Sequence, residues 1–395
     1  MKMNKTISAL GLALGVASVA EAQETIYITG STAFRAQVYF ALRDLGLTVQ
    51  NGATTGNNNF NFTGTVNNST IGTITNGSAG TSVTIITAFT GSTEGLNSLI
   101  NNVSPVYTNT SGSAFSYANG ADLAFCDVQE ASTVYAGDSV NELISVDGNA
   151  SSFGAGVAVV PFTWAASADA QGEIGNVTPL IVNDIFVNGI EALNFFNGVA
   201  AASTTNVYLT GRTNDSGTRI TAQQTVGFDP SQPVIQYTIN GSLGTPVAGG
   251  TFENVGNNGY SSGGNVAKAL SVTGAGDAIG YVAFSDAASL KNGALPIGFE
   301  GVSPFIGSSW TPNSTPWNLA GIENGSYTFW SYEHLYESTK VSGTSFITKN
   351  FGPDLINALE YEIVNPPAGT IQSADLIKRL NVHRNSDGTD VLAGN

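Results

Sequence analysis

The sequence predicts an α/β protein, and three observations point there. Strand-like patterns alternate with helix-like ones along most of the 395 residues. Three times a strand pattern ends in a small, hydroxyl-bearing turn that opens a helix: Gly30-Ser31-Thr32, Gly91-Ser92-Thr93 and Ser216-Gly217-Thr218. Charged residues make up only 11% against 42% hydrophobic, with Gly, Ser, Thr and Asn filling much of the rest, a turn-rich composition typical of extracellular proteins. A chain of this length holds two ordinary domains and buries a substantial core.

Residues 1–22 read as a secretory signal. Lys2 and Lys5 precede the short apolar run "TISALGLALGVASVA", and Ala20-Glu21-Ala22 fits the small-x-small cleavage pattern before Gln23. The run is too short to span a bilayer, and no later segment is long and apolar enough to do so, which predicts a soluble periplasmic or extracellular protein. No cysteine lies near the cleavage site to carry a lipid. Cys126 is the single cysteine, which excludes an intrachain disulfide.

In the mature chain "ETIYITG" alternates as a strand, and Phe34, Val38, Ala41, Leu42 and Leu45 then recur at helical spacing, with Ser31 or Thr32 placed to cap and Gly46 to stop. The Asn/Thr/Gly-rich stretch 50–80 reads as an exposed hairpin insertion. "TSVTIITAFTGSTEGLNSLINN" repeats strand, turn, helix, and "ADLAFCDVQEAS" is a buried strand ending at Asp127. "GAGVAVVPFTWAAS" is a continuous apolar strand fit to carry the chain between lobes. Residues 178–199 read as one or two short helices, and "TTNVYLTGRTNDSGTRITAQQTVGF" gives the third strand-turn-helix unit. "AIGYVAFSDAAS" is a further strand, and the last hundred residues add aromatic turns, "YTFWSYEHLYES", and helical patterns near 353–362 and 373–380.

Removing Lys2, Lys5 and Glu21 with the signal takes the formal charge from −16 to −17, which makes nucleic acid and anionic membranes poor partners. A small anion is different, because a helix N-terminus supplies unpaired N–H groups and the positive end of its dipole without any charged side chain. Three converging ends make a neutral, donor-rich anion site; each alone is equally a helix cap. No Lys or Arg occurs between Arg43 and Arg212, and Arg212 then stands four residues before Ser216-Gly217-Thr218. Its guanidinium fork matches two oxygens of a phosphate-like group, the alternative being a surface pair with Asp215. Asp127 either accepts a proton-bearing ligand oxygen, admitting hydrogen phosphate and penalising sulfate, or caps "VQEAST".

In order, these segments resemble the periplasmic phosphate-binding proteins of phosphate ABC transporters. "GSTAFRAQVY" is similar to that family's first turn, which reads Phe-Pro-Ala-Pro-Val-Tyr after its small residues, and "GSTEGL" to its Gly-Ser-Ser-Gly-Gly turn. "ADLAFCDVQEAS" resembles the strand whose Asp reads the phosphate proton, "GRTNDSGTR" the Arg-x-Asp-Gly-Ser-Gly-Thr loop, and "AIGYVAFSDA" the returning strand. The resemblance runs from about Thr25 to Asp286, more weakly through "YTFWSYEHLY". It implies a two-lobed type 2 periplasmic-binding-protein fold with the ligand cleft between lobes and two crossover segments, near 158–166 and 277–284. Lobe 1 spans 23–160, lobe 2 spans 161–280, and 281–395 returns to lobe 1. The implied phosphate ligands are the turn Thr32, Ala33 and Phe34, then Ser92, Asp127, Arg212, Ser216, Gly217 and Thr218. The implied partners are inorganic phosphate and a membrane permease, with the protein acting as a monomer without cofactor. Ala33 stands where alignment on Phe34 places the family's hydroxyl, Arg35 replaces a Pro, and Asn214 replaces the acidic partner of the arginine.

Other motifs carry less. "GAGDAIG" precedes a strand, the wrong context for a dinucleotide loop, and "HRNSDGTD" lacks the first Asp and distal Glu of a calcium loop. His334 and His383 are the only histidines; with one cysteine they make no zinc constellation, and His334 reads as structural. The scarcity of candidate bases argues against a hydrolase. The alternative to a transport protein is a surface or matrix protein that keeps the fold with altered or lost ligand binding.

Overall fold

In the computed structural model, residues 24–66, 81–138, 140–143, 156–340 and 347–394 are described. The signal segment 1–22 lies outside them. The first strand, β1 (Glu24–Gly30), becomes fully buried toward its C-terminal end because parallel strands cover both its edges. In α1 (Arg35–Asp44) Val38, Ala41 and Leu42 turn inward as their spacing predicts, and Gly46, at φ +80°, ends the helix by donating its N–H to the Arg43 carbonyl at 2.9 Å.

The stretch expected to be an exposed hairpin instead contributes to the sheet. β2 (Asn61–Val66) runs antiparallel to β3 (Thr81–Ala88), with Asn61 opposite Ile86 and Val66 opposite Thr81. Phe60 and Phe62 are buried and meet the Tyr39 ring edge-on, at 5.3 and 5.2 Å between centroids. These aromatics draw an otherwise polar run inward. Residues 67–80 of that stretch lie outside the described residues.

α2 (Ser92–Asn101) leads to β4 (Leu123–Cys126), parallel to β1. β5 (Ala158–Ala166) is buried at every position. α3 (Pro179–Asn188), capped by Thr178, is followed by the strand Ile190–Ala192 and the short helix Asn194–Asn197, in keeping with the reading of 178–199. Then come β6 (Asn206–Thr210), α4 (Gly217–Thr225), α5 (Gly263–Leu270), β7 (Ala278–Ala283), α6 (Phe284–Ala287) and β8 (Leu295–Phe299). β9 (Trp330–Ser338) and α7 (Gly352–Val364) close the chain's main elements, and α7 packs on α1. The 373–380 pattern yields only a single 3₁₀ turn, Ile377–Arg379.

The main sheet runs Ile190–Ala192, β6, β7, β5, β9, β4, β1, β3, β2, Thr48–Val49, with β8 also paired to β5. It holds two parallel groups, β6 with β7 and β4 with β1 and β3, joined through the antiparallel strands β5 and β9. Trp330–Glu333 of β9 pairs with β5, and His334–Glu337 pairs with β4, so one strand serves both groups. Segment 158–166, read as a crossing, is β5. Segment 277–284 contains β7, which pairs with β6 and with the joining strand β5, while β9 pairs with β5 and with β4. His334 sits in β9, fully buried, with Nδ1 2.6 Å from Glu142 Oε1, the structural placement expected.

The parallel strands β1, β3, β4, β6 and β7 all carry their following turns to their C-terminal ends, the edge where open α/β sheets hold ligands. No described helix is long and apolar enough to cross a membrane, and no described cluster of His, Cys, Asp and Glu could hold a metal.

Gly30 shows how tightly that edge is built. It holds φ +107°, and a Cβ there would collide with the Phe125 carbonyl of β4. Gly30→Ala is expected to lower unfolding stability by about 2–4 kcal/mol, combining backbone strain with a displaced strand. Urea denaturation checks this; a loss below about 1 kcal/mol means the turn relaxes without cost.

Candidate functional site

Three helix N-termini converge where the two strand groups meet. Thr32 precedes α1, Ser92 opens α2 and Thr218 lies in the first turn of α4. First-turn N–H groups have no partner inside their own helices, so this convergence concentrates donors and dipole ends in one place. Only Ser216 acts as a side-chain cap, accepting from the Arg219 N–H at 3.3 Å. α1 and α2 start without any side-chain cap, at Phe34 and Gly91. The hydroxyls of Thr32 and Ser92, read as caps equally well from sequence, reach across the site instead.

Arg212 is the centre of that arrangement. Leaving the end of β6, its side chain is 1% exposed, and Nη2 donates to Thr32 Oγ1 and to the Ser261 carbonyl, both at 3.0 Å. Nε donates to the Tyr260 carbonyl at 3.2 Å. All three acceptors are neutral. Asp215, the alternative partner, is not ion-paired with it; the Asp215 carbonyl instead accepts from the Thr93 N–H at 3.1 Å. Burial lowers the arginine's affinity for its proton, opposed chiefly by the field of Asp286 and then of Asp127. Guanidinium nonetheless stays charged at any physiological pH.

The backbone beneath Arg212 is fixed on both sides. Its N–H donates to Tyr281 Oη at 3.2 Å, the Tyr281 hydroxyl donates to Gln236 Oε1 at 3.0 Å, and Gln236 Nε2 returns to the Arg212 carbonyl at 3.0 Å. Arg219 Nη1 donates to that carbonyl and to the Asn257 carbonyl, at 3.3 and 3.0 Å. The second arginine of "TGRTNDSGTR" is therefore a brace for the first. A similar brace holds the first turn: Arg35 donates to the Thr32 carbonyl and pairs with Asp286 Oδ1 at 2.9 Å. Ala33 supplies only backbone, its carbonyl accepting from Ser285 Oγ at 2.9 Å, while Phe34 is buried against Phe125 at 5.7 Å between centroids.

Asp127 follows β4 and is 1% exposed. Its Oδ1 accepts from Ser92 Oγ, and Oδ2 accepts from Thr218 Oγ1 at 2.9 Å. It does not cap "VQEAST": the 3₁₀ turn Glu130–Ser132 begins at Gln129 without a side-chain cap. Burial raises its pKa, and Ser92, Thr218 and Arg212 oppose the rise. Gly217 lies directly against the carboxylate, and a Cβ there would strike Oδ1. Thr32, Ser92, Asp127, Arg212, Ser216, Gly217 and Thr218 are thus gathered into one enclosure, each named side chain no more than 2% exposed.

Glu333 is a member that sequence reasoning passed over. It projects from β9, is 0% exposed, and neither carboxyl oxygen has a hydrogen-bond partner. Burial pushes its pKa well above the ordinary carboxylate range, and the field of Asp127 pushes it further. The Ser31 hydroxyl lies near enough to oppose the shift, yet the pair closes no hydrogen bond of normal geometry. The signal in "WSYEHLYES" was alternation: Ser331 and Glu333 share a face, and Ser331 Oγ donates to the Asp127 carbonyl.

No protein-family model matches this sequence, and no curated protein matches it. Among solved structures, one described as a phosphate ABC transporter substrate-binding protein with bound phosphate from Clostridium perfringens aligns over 90% of this chain and 100% of its own, with TM-score 0.50 and 13% identity. An ABC-type phosphate transport receptor from Vibrio cholerae aligns over 84% of this chain and 93% of its own, with TM-score 0.42 and 13% identity. The first of these shows the fold: the chain is an α/β protein of the periplasmic-binding-protein type.

The raised pKa of Glu333 has a definite sign. The folded protein keeps a proton that the unfolded chain releases above about pH 4.3, so unfolding stability falls as pH rises from there toward the higher folded value. One such group contributes a slope of about 1.4 kcal/mol per pH unit in that window. Glu333→Gln is expected to flatten this fall in stability as pH rises above 5, measured by denaturation at pH 5 and pH 7. Parallel wild-type and variant curves would mean that Glu333 ionises freely.

Proposed function

We propose that the chain is a secreted solute-binding protein that captures hydrogen phosphate and presents it to the membrane permease of an ABC transporter, as a monomer and without catalysis. One observation carries this reading: Arg212 is wholly buried and bonded only to neutral oxygens. A buried charge without an ionic partner costs several kcal/mol, and evolution retains one where a ligand completes the pair. A tetrahedral oxyanion fits the donors around it. Arg212 and the N-termini of α1, α2 and α4 supply charge and N–H groups, and the hydroxyls of Thr32, Ser92 and Thr218 supply further donors.

Asp127 supplies selectivity. An acceptor-only carboxylate repels a fully ionised anion but welcomes an oxygen that carries a proton, so hydrogen phosphate is favoured over sulfate. The sequence-level departures are met in this scheme by neighbouring groups. Thr32 provides the hydroxyl that Ala33 lacks, and Arg35, in place of a proline, holds the turn by its bond to the Thr32 carbonyl.

Entry requires the enclosure to open. We assign the two strand groups to two lobes, with β5 and β9 as the connections about which they part, and closure then buries the ligand among fixed dipoles. The signal-like pattern of residues 1–22 supports an activity outside the cytoplasmic membrane.

Calorimetric titration of phosphate-stripped protein with phosphate, and separately with sulfate, tests the reading. Saturable phosphate binding without sulfate heat is expected. Arg212→Ala should weaken phosphate binding by about 2–5 kcal/mol, roughly 30- to 5000-fold in Kd, with the thermal transition retained. Asp127→Asn should narrow the gap between phosphate and sulfate. Silence for both ions in folded protein would remove phosphate capture and leave a surface protein on the same fold.

A further inference from the structure

The chain carries 29 Asp and Glu against 13 Lys and Arg, so a surface that gathers cations needs a reason. One such surface is an open cleft of about 640 Å³. One wall is the start of α1 with residues 55–58, ahead of β2, and the other is α5, α6 and the turn after α6, so the cleft lies on the seam between the two strand groups. Arg35, Lys268 and Lys291 line it, and Asp286 is the single carboxylate among the described lining residues. Asp286 is paired with Arg35 at 2.9 Å, which leaves the two lysines as the net charge of the cleft. Both are exposed, and neither is ion-paired with a described residue.

The buried end of the cleft adjoins the Arg212 enclosure. Arg35 donates to the Thr32 carbonyl, and the Thr32 hydroxyl accepts from Arg212 Nη2 at 3.0 Å. On the opposite wall Ser262 follows Ser261, whose carbonyl accepts from the same Nη2 at 3.0 Å. A single layer of residues therefore separates the cleft from the buried guanidinium. Neither lysine belongs to the enclosure itself. Their effect is at a distance: low-dielectric walls focus the field of charges that line a concave surface, and this raises the arrival rate of a counter-ion. Elsewhere a formal charge of −16 repels an anion, so an approach of reversed sign carries a disproportionate share of productive encounters.

We propose that this cleft is the entrance to the anion site, and that Lys268 and Lys291 are positioning residues that draw a small oxyanion in without holding it once bound. The inference rests on the reading of the Arg212 enclosure as a phosphate site, and adds to it the route and the residues that set the association rate.

Radiolabelled phosphate bound to the full chain gives Kd at equilibrium and koff by chase with unlabelled phosphate, and the quotient koff/Kd gives kon. At about 10 mM ionic strength, where the Debye length is about 30 Å, Lys268→Gln and Lys291→Gln should each lower kon about two- to fivefold and raise Kd to match, with koff unchanged. At about 1 M, where the Debye length is about 3 Å, the difference should vanish. Lys340→Gln makes the same change of charge where β9 passes the N-terminal end of β4, the edge away from the site, and should slow association less than either cleft variant. The inference is overturned if both cleft variants keep the wild-type kon, if the loss appears in koff instead, or if Lys340→Gln slows association as much. A wild-type chain that binds no phosphate would remove the phosphate reading and this inference together, whereas phosphate binding with unchanged kon in the variants removes the inference alone.

Discussion

A guanidinium taken out of water is the constraint around which the seam of this protein is organised. Arg212 surrenders its hydration and recovers three neutral acceptors, Thr32 Oγ1 and the carbonyls of Tyr260 and Ser261. Those acceptors come from separate stretches of chain, so its position depends on the first turn and the loop before α5 meeting at one point. Tyr281, Gln236 and Arg219 then lock its backbone. The outlay of polar residues on a single side chain explains why so much of the seam is Thr, Ser, Asn and Gln, although these residues contribute little apolar burial.

Around that cation the carboxyl groups divide by environment. Asp286 pairs with Arg35, and Asp127 is held by two hydroxyl donors that oppose the rise burial imposes on its pKa. Glu333 has no such support, and burial next to another carboxyl keeps its proton on. A carboxyl that burial holds toward its neutral form adds less negative field at the place an anion is proposed to enter. In a protein whose formal charge is −16, this local arrangement overrides the global one.

Much of this was legible in the sequence, because strand–turn–helix units carry their own punctuation. The periodicity in 34–45, the glycine at 46 and the small-residue turns each act within one unit, and each appears where expected. Converging turns were readable as a set, since the residue types alone indicate donors. What failed to show was long-range. Asn61–Val66 looks like surface by composition, and only pairing with Thr81–Ala88 reveals that Phe60 and Phe62 are anchored in the sheet. Glu333 looks like a polar strand residue until β5 and β4 cover both edges of its strand. Arg35 looks like an interruption of a motif, and its role appears only with Asp286, far along the chain.

The bonds Thr32 to Arg212, Ser92 to Asp127 and Thr218 to Asp127 join residues proposed to hold the anion. The protein is thus its own competitor. Under that proposal each incoming oxyanion must displace an internal bond of similar kind, so occupancy would reflect a difference between two well-satisfied networks. Weakening the internal set, by trimming Thr32 for example, removes a ligand donor and a rival acceptor together. A single substitution here consequently reports on the exchange between the two networks, which only paired substitutions can divide.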